Sequence, residues 1–254
     1  MVLCAQGHKN MDDNSYCSTC SYPLNIPDEE KIVFLKNKLG GDITFEATDS
    51  TVHLLDLTKV NKYNIDLGFV FPNLTNLIVK ANKLVDSELL SNLNNLRYLT
   101  LNLKVLGGKA KLPNNILDLL PQSIQSLTIT VDEHEIDDTI VIIPEKLLSY
   151  LQNLKNLFIY CTPENIKFLS SGHQTLDTIE IMGEGFEFDG RIMNFPCLTA
   201  VTAEYRVTKL HLELVNLPNL EKLIINLEDN QSPISIKSSN ADYELELTFN
   251  QYHS

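Results

Sequence analysis

The sequence predicts an α/β fold: a solenoid of short parallel strands with short convex helices, preceded by a small metal-stapled module. The pattern apolar-x-x-apolar-x-apolar starts at Val52, Leu74, Leu96, Ile124, Leu154, Leu176, Leu198 and Leu220, at intervals of 22, 22, 28, 30, 22, 22 and 22 residues. Self-similarity at such a period means that each unit is one supersecondary piece, which buries its apolar side only by stacking on its neighbours. Ahead of the repeats stand Cys4, His8, Cys17 and Cys20, spaced C-x3-H and C-x2-C across an eight-residue loop. Three thiolates and one imidazole make a tetrahedral ligand set for structural zinc, and a segment this short cannot hold itself together without a staple.

Residues 1–26 are therefore expected to be a zinc-bound module and residues 27–254 the solenoid with its caps. The set Cys4, His8, Cys17 and Cys20 also admits a disulfide pair or a redox C-x2-C. Both are weaker readings where no export signal and no βαβ context accompany the cysteines. The polar run Asn25 to Glu30, with Pro27, reads as the joint between the two parts. Residues 31–50 read as a transitional cap. In it Ile43-x-Phe45-x-Ala47 alternates and then meets Thr48-Asp49-Ser50, which predicts a hairpin into the first repeat strand.

Within each unit the period of two along a strand sends positions 1, 4 and 6 inward and positions 3, 5 and 7 to the open face. Helical returns are expected near 86–93, 115–120, 144–151 and 163–170; Asp-Ser before Glu88 marks the start of the first, and Pro before Glu those of the third and fourth. Units of 22 residues leave room for only a turn or two of helix. A closing strand is expected around Leu245 and Leu247, with the last residues frayed.

Two resemblances follow from these motifs. The segment CAQGHKNMDDNSYCSTCSYPL, over residues 4–24, resembles the N-terminal zinc ribbons of bacterial proteins, with Gly7, His8, Asn10, Tyr16, Pro23 and Leu24 in agreement and Ser21 in place of a usual glycine. That resemblance implies a structural metal and an interaction or tethering role. Residues 52–250 resemble the leucine-rich repeat family, whose consensus asparagine survives only at Asn82. The resemblance implies a leucine-rich repeat solenoid that binds other molecules on its concave face.

Charge narrows the partner. With 20 Lys and Arg against 33 Asp and Glu the formal net charge is −13, which repels phosphate backbones. Nucleic acid is disfavoured and a basic or polar protein partner is favoured. No apolar run approaches the roughly 20 residues of a membrane helix and no secretory h-region opens the chain, so the expected compartment is cytoplasmic.

The open-face positions nominate the binding site. Ser126, Thr128 and Thr130 form a strand of small hydroxyl side chains, flanked by Tyr98 on one side and Phe158 and Tyr160 on the other. Aromatics beside small polar groups have the composition of a binding hot spot, and the two longest units border this strand. Catalysis finds no support. Cys161 and Cys197 read as structural, the histidines are scattered, and Gly107-Gly108-Lys109 lacks the remaining residues of a phosphate loop. The acidic run Asp132 to Asp138 lacks the spacing of a calcium loop and reads as a solvated loop. The expected function is a non-catalytic protein-interaction module. The alternatives are a recruiting subunit of an enzyme complex, or a ribbon that reads RNA or ubiquitin.

Overall fold

The computed structural model of the chain describes residues 2–3, 9–10, 16–17, 23–24, 26–84, 88–132, 139–229, 232–239 and 243–249. In chain order the elements begin with β1 (Val2–Leu3), β2 (Lys9–Asn10), α1 (Asp28–Leu39), β3 (Thr44–Thr48), β4 (Thr51–Asp56), α2 (Leu67–Val70), β5 (Asn76–Lys80) and β6 (Tyr98–Leu103). There follow β7 (Val105–Leu106), β8 (Lys109–Lys111), α3 (Asn114–Leu117), β9 (Ser126–Val131), β10 (Ile140–Ile142), α4 (Leu147–Tyr150), β11 (Asn156–Tyr160) and β12 (Thr162–Pro163). The chain closes with β13 (Thr178–Met193), β14 (Ala200–Val215), β15 (Lys222–Leu227), β16 (Ile234–Ser238) and β17 (Glu244–Phe249).

The polar joint read at Asn25 to Glu30 instead launches a helix. Pro27 precedes α1, Asp28, Glu29 and Glu30 fill its first turn, and Lys36 and Lys38 fill its last. This charge order suits the helix dipole, and Gly40 at φ 68° stops the helix while its N–H donates to Lys36 O. Ile32, Leu35 and Leu39 are buried on one face. Asp28 ties the helix to the sheet by accepting from Val52 N at 2.8 Å. The hairpin expected from Thr48-Asp49-Ser50 is present: β3 and β4 pair antiparallel, and Asp49 and Ser50 both take positive φ, as a two-residue turn of this kind requires.

From β4 onward the large sheet is parallel, in the order β4, β5, β6, β9, β11, β13, β14, β15, β17. Its register pairs Leu77, Leu99, Leu127, Leu157, Ile179, Val201 and Leu223 in one continuous rung, each no more than 1% exposed. A second rung runs through Val79, Leu101, Ile129, Ile159, Ile181, Ala203 and Ile225. The alternate side chains face away from this core. On β17 the rung residue Leu245 is 44% exposed, so the described stack ends with one apolar side showing.

The α/β class, the leucine-rich repeat solenoid with convex helices and the preceding zinc ribbon are corrected by this structure. Among the described residues strands predominate and helices are few. Beyond α1 the helices are single turns, and no metal-holding group occurs among the described residues. Of the four expected helical returns, 115–120 and 144–151 overlap the four-residue turns α3 and α4, and 163–170 overlaps a 3₁₀ turn at Lys167–Ser171. The described part of 86–93 forms turns only. Further along, strands replace helix altogether. β13 and β14 each run 16 residues and stay paired from Thr178↔Ala200 to Met193↔Val215, with register shifts between Glu184 and Glu187.

The reason lies in the local pattern. Phe186 and Phe188, and Leu210, Leu212 and Leu214, alternate with polar residues at period two. A strand sends such a set to one face, whereas a helix would scatter it. Upstream, β12, β10 and β8 form the same kind of return layer in a sheet of four strands that also contains β7. The core is one cluster between the two layers. Asn82, matched to the family's inward asparagine, is exposed in the 3₁₀ turn Ala81–Lys83, and Ala81 is buried in its place. No helix among the described residues is long and apolar enough to cross a membrane.

Candidate functional site

The six residues nominated for partner binding fall on three adjacent strands. Register pairs Tyr98 with Ser126, Thr128 with Phe158, and Thr130 with Tyr160. Tyr98 is 50% exposed, and Thr128, Thr130, Phe158 and Tyr160 are half-buried on the face opposite the core. Ser126 departs from the others. It is buried, at 6% exposure, between its register neighbours Tyr98 and Asn156, so it lines the floor of the patch and offers little surface.

Phe158 and Tyr160 are two apart on β11 and so lie on the same face. Their ring centroids are 6.1 Å apart with a 38° tilt, inside the range of favourable aromatic pairs. One strand further, Glu180 is the register neighbour of Phe158 and Met182 that of Tyr160; Glu204 is the register neighbour of Met182 on β14. Burial first, and then the Glu180 carboxylate beside it and that of Glu204, hold the Tyr160 phenol above its ordinary value of 10.0. Tyr160 therefore stays protonated at neutral pH, a neutral hydrogen-bond donor at the edge of a negative field.

The metal set is only partly within the described residues. Cys17 is buried, at 1% exposure, while Cys4, His8 and Cys20 lie outside them, as does the acidic run from Glu133 to Asp138. Among the described residues no group of three or more His, Cys, Asp or Glu could hold a metal ion. Two backbone pairings do bracket the candidate ligands. Val2↔Asn10 and Leu3↔Lys9 close around 4–8, and Tyr16↔Pro23 closes around 17–20.

Other polar features were not nominated from the sequence. The residue before four of the hexads reaches back to the preceding turn. Asn95 donates to Pro72 O at 2.9 Å, Asn153 to Gln122 O at 2.9 Å, Thr175 to Gln152 O at 3.1 Å and Asn219 to Pro196 O at 2.6 Å. These side chains build an amide and hydroxyl ladder at the sheet edge, where Arg97, Gln125 and Lys155 line a cleft of about 300 Å³. The signal that marks this ladder is the recurrence of Asn, Ser or Thr one position before the hexad. In this slot Cys197 is exposed.

Cys161 and His173 are held in structural roles. The Cys161 thiol is buried among apolar side chains, which pushes its pKa up to about 12. His173 is 7% exposed, its Nε2 lies 2.7 Å from Leu151 O, and its Nδ1 accepts from Leu176 N at 3.0 Å. Both ring nitrogens therefore serve the backbone, and burial depresses the pKa below 6.5.

Comparison with family models, with curated proteins and with solved structures finds no match to this chain.

Proposed function

We propose that this protein is a non-catalytic binding module that engages a protein partner on the open face of its large parallel sheet. The observation that carries the reading is the Phe158–Tyr160 ring pair, set on a rigid strand with Tyr98 two strands away and small hydroxyl residues between. Hydrogen-bonded strands fix the spacing of these side chains before any partner arrives, which lowers the ordering cost of association. Large aromatic surfaces that stay partly open on such a scaffold are the usual anchors of protein interfaces.

No chemical step belongs to this reading. The Cys161 thiol is too weakly acidic to supply a thiolate at neutral pH, and both nitrogens of His173 are engaged by backbone groups. A basic partner suits the net charge of −13, since opposite charge raises the association rate. A structural zinc ion held by Cys4, His8, Cys17 and Cys20 is a separate proposal, supported by ligand spacing and by the two backbone pairings that bracket the ligand pairs.

The test is co-purification from the native host with the wild-type chain and with a variant carrying Tyr98→Ala, Phe158→Ala and Tyr160→Ala, with circular dichroism to check the fold. The partner is expected with the wild type and lost from the variant. A partner retained equally by both places the interface elsewhere.

A further inference from the structure

The corner where the aromatic pair meets Glu180 and Glu204 has a more specific chemistry than the rest of the sheet face. Phe158 and Tyr160 form one wall on β11; Glu180 and Met182, their register neighbours on β13, form the next. Glu204 follows on β14 beside Met182. Adjacent strands are about 4.8 Å apart, so the five side chains span roughly 10 Å of one face. All five are half-buried.

The Glu180 carboxylate accepts from the Tyr160 hydroxyl. Beside the corner, Arg206 stands two residues along β14 from Glu204 on the same face and approaches Glu184, its register neighbour, at 3.6 Å. The outward positions here thus carry Glu180, Glu184 and Glu204 against Arg206, which leaves this part of the face net negative. Net negative charge beside two aromatic faces attracts a cation twice over, through the carboxylates and through the ring quadrupoles.

We propose that this corner is a seat for one arginine side chain of an extended segment of the partner protein. The proposal rests on the sheet-face reading above and adds the chemistry of the occupant. Guanidinium fits where ammonium fits less well. It is planar, so it stacks on a ring while its edge donates two parallel hydrogen bonds to a carboxylate, and it loses less hydration than an ammonium group. Phe158 and Tyr160 offer the stacking surface, Glu180 the bidentate acceptor, and Met182 an adaptable thioether floor. Glu204 adds long-range attraction.

The test uses the full chain labelled with ¹³C at the methionine methyl groups, where Met182 reports on the corner directly. The probes are N-acetyl-arginine amide, N-acetyl-lysine amide and the neutral isostere N-acetyl-citrulline amide. The Met182 methyl signal is expected to shift saturably with the arginine probe, about fivefold more weakly with lysine, and not at all with citrulline. Glu180→Gln is expected to weaken the arginine response by about tenfold. Glu221→Gln removes the same charge from an exposed site away from the corner and is expected to leave the response unchanged. An equal response to all three probes, or an unchanged response in Glu180→Gln, overturns the arginine seat. If Glu180→Gln is silent while the triple alanine variant still loses the native partner, the arginine seat falls and the sheet-face reading stands. If the partner is retained by the triple variant while the Met182 response persists, the sheet-face reading falls and the seat binds arginine without serving that partner.

Discussion

Phe158 and Tyr160 hold their rings 6.1 Å apart at a 38° tilt, on a strand whose neighbours carry Thr128 and Thr130 on one side and Glu180 and Met182 on the other. The pair is thus the boundary between a hydroxyl-lined half and an acidic half of one surface. Replacing Phe158 or Tyr160 by Ala is expected to cost about 2 kcal/mol of partner binding, read by calorimetric titration with the purified partner. Ser126→Ala, on the buried floor, is expected to leave affinity within about 0.5 kcal/mol of the wild type. A Ser126 effect larger than that of Phe158 would relocate the contact.

Gly68 approaches the turn of the next unit too closely for any other residue. An added Cβ would lie 2.4 Å from the Asn92 carbonyl carbon and 2.5 Å from its oxygen. The same turn is knit by Asp66, which accepts from Gly68 N at 2.9 Å and from Asn92 Nδ2 at 2.8 Å. Gly68→Ala therefore forces backbone apart from backbone. It is expected to lower stability by about 1–3 kcal/mol, measured as a shift of the urea midpoint with an unchanged slope. A midpoint equal to the wild type's would mean that the turn yields freely.

His173 gives the stability a pH dependence with a definite sign. Burial depresses its pKa below the ordinary 6.5, so across that interval the unfolded chain binds a proton that the folded chain refuses. Its contribution is complete above 6.5, falls as the pH drops toward the depressed folded value, and is flat below it. Urea midpoints at about pH 8 and about pH 5 are expected to differ more for the wild type than for His173→Gln. The variant is also expected to be less stable at the higher pH, by about 1–3 kcal/mol, because the Leu176 N–H and the Leu151 carbonyl lose their bond geometry. An identical pH slope in the two proteins would remove His173 as its source.

For the ligand set Cys4, His8, Cys17 and Cys20, elemental analysis of the purified chain is expected to find about one zinc ion, lost in Cys17→Ser. Full retention of the metal in that variant, or no metal in the wild type, ends the assignment. Far-ultraviolet dichroism of the variant is expected to keep its strand signal, because the parallel ladder from β4 to β17 uses none of these four residues.

Some signals in this sequence support two structures at once. Pro27-Asp-Glu-Glu, the later Lys36 and Lys38 and the Gly40-Gly41 stop spell a helix by ordinary capping and dipole rules, while the same proline and charges also have the composition of a joint. The alternation through Lys209-Leu-His-Leu-Glu-Leu spells a strand by its period of two, and none of the four expected helical returns falls on it. Burial of Ser126 was not legible, because it depends on which longer side chains flank it across the sheet.

What the sequence determined by itself is the spacing: a hexad returning at 22, 28 or 30 residues fixes which apolar residues meet, and Leu77, Leu99, Leu127 and Leu157 stack because each holds the same hexad position. It also determined the two-residue turn at Asp49-Ser50 and which alternate residues leave the core. Tertiary structure decided which charges converge. Glu180 comes beside Phe158 only because β13 docks in register with β11. Local pattern sets the direction of a side chain; only the docking of whole strands brings residues 22 apart in sequence within reach of each other.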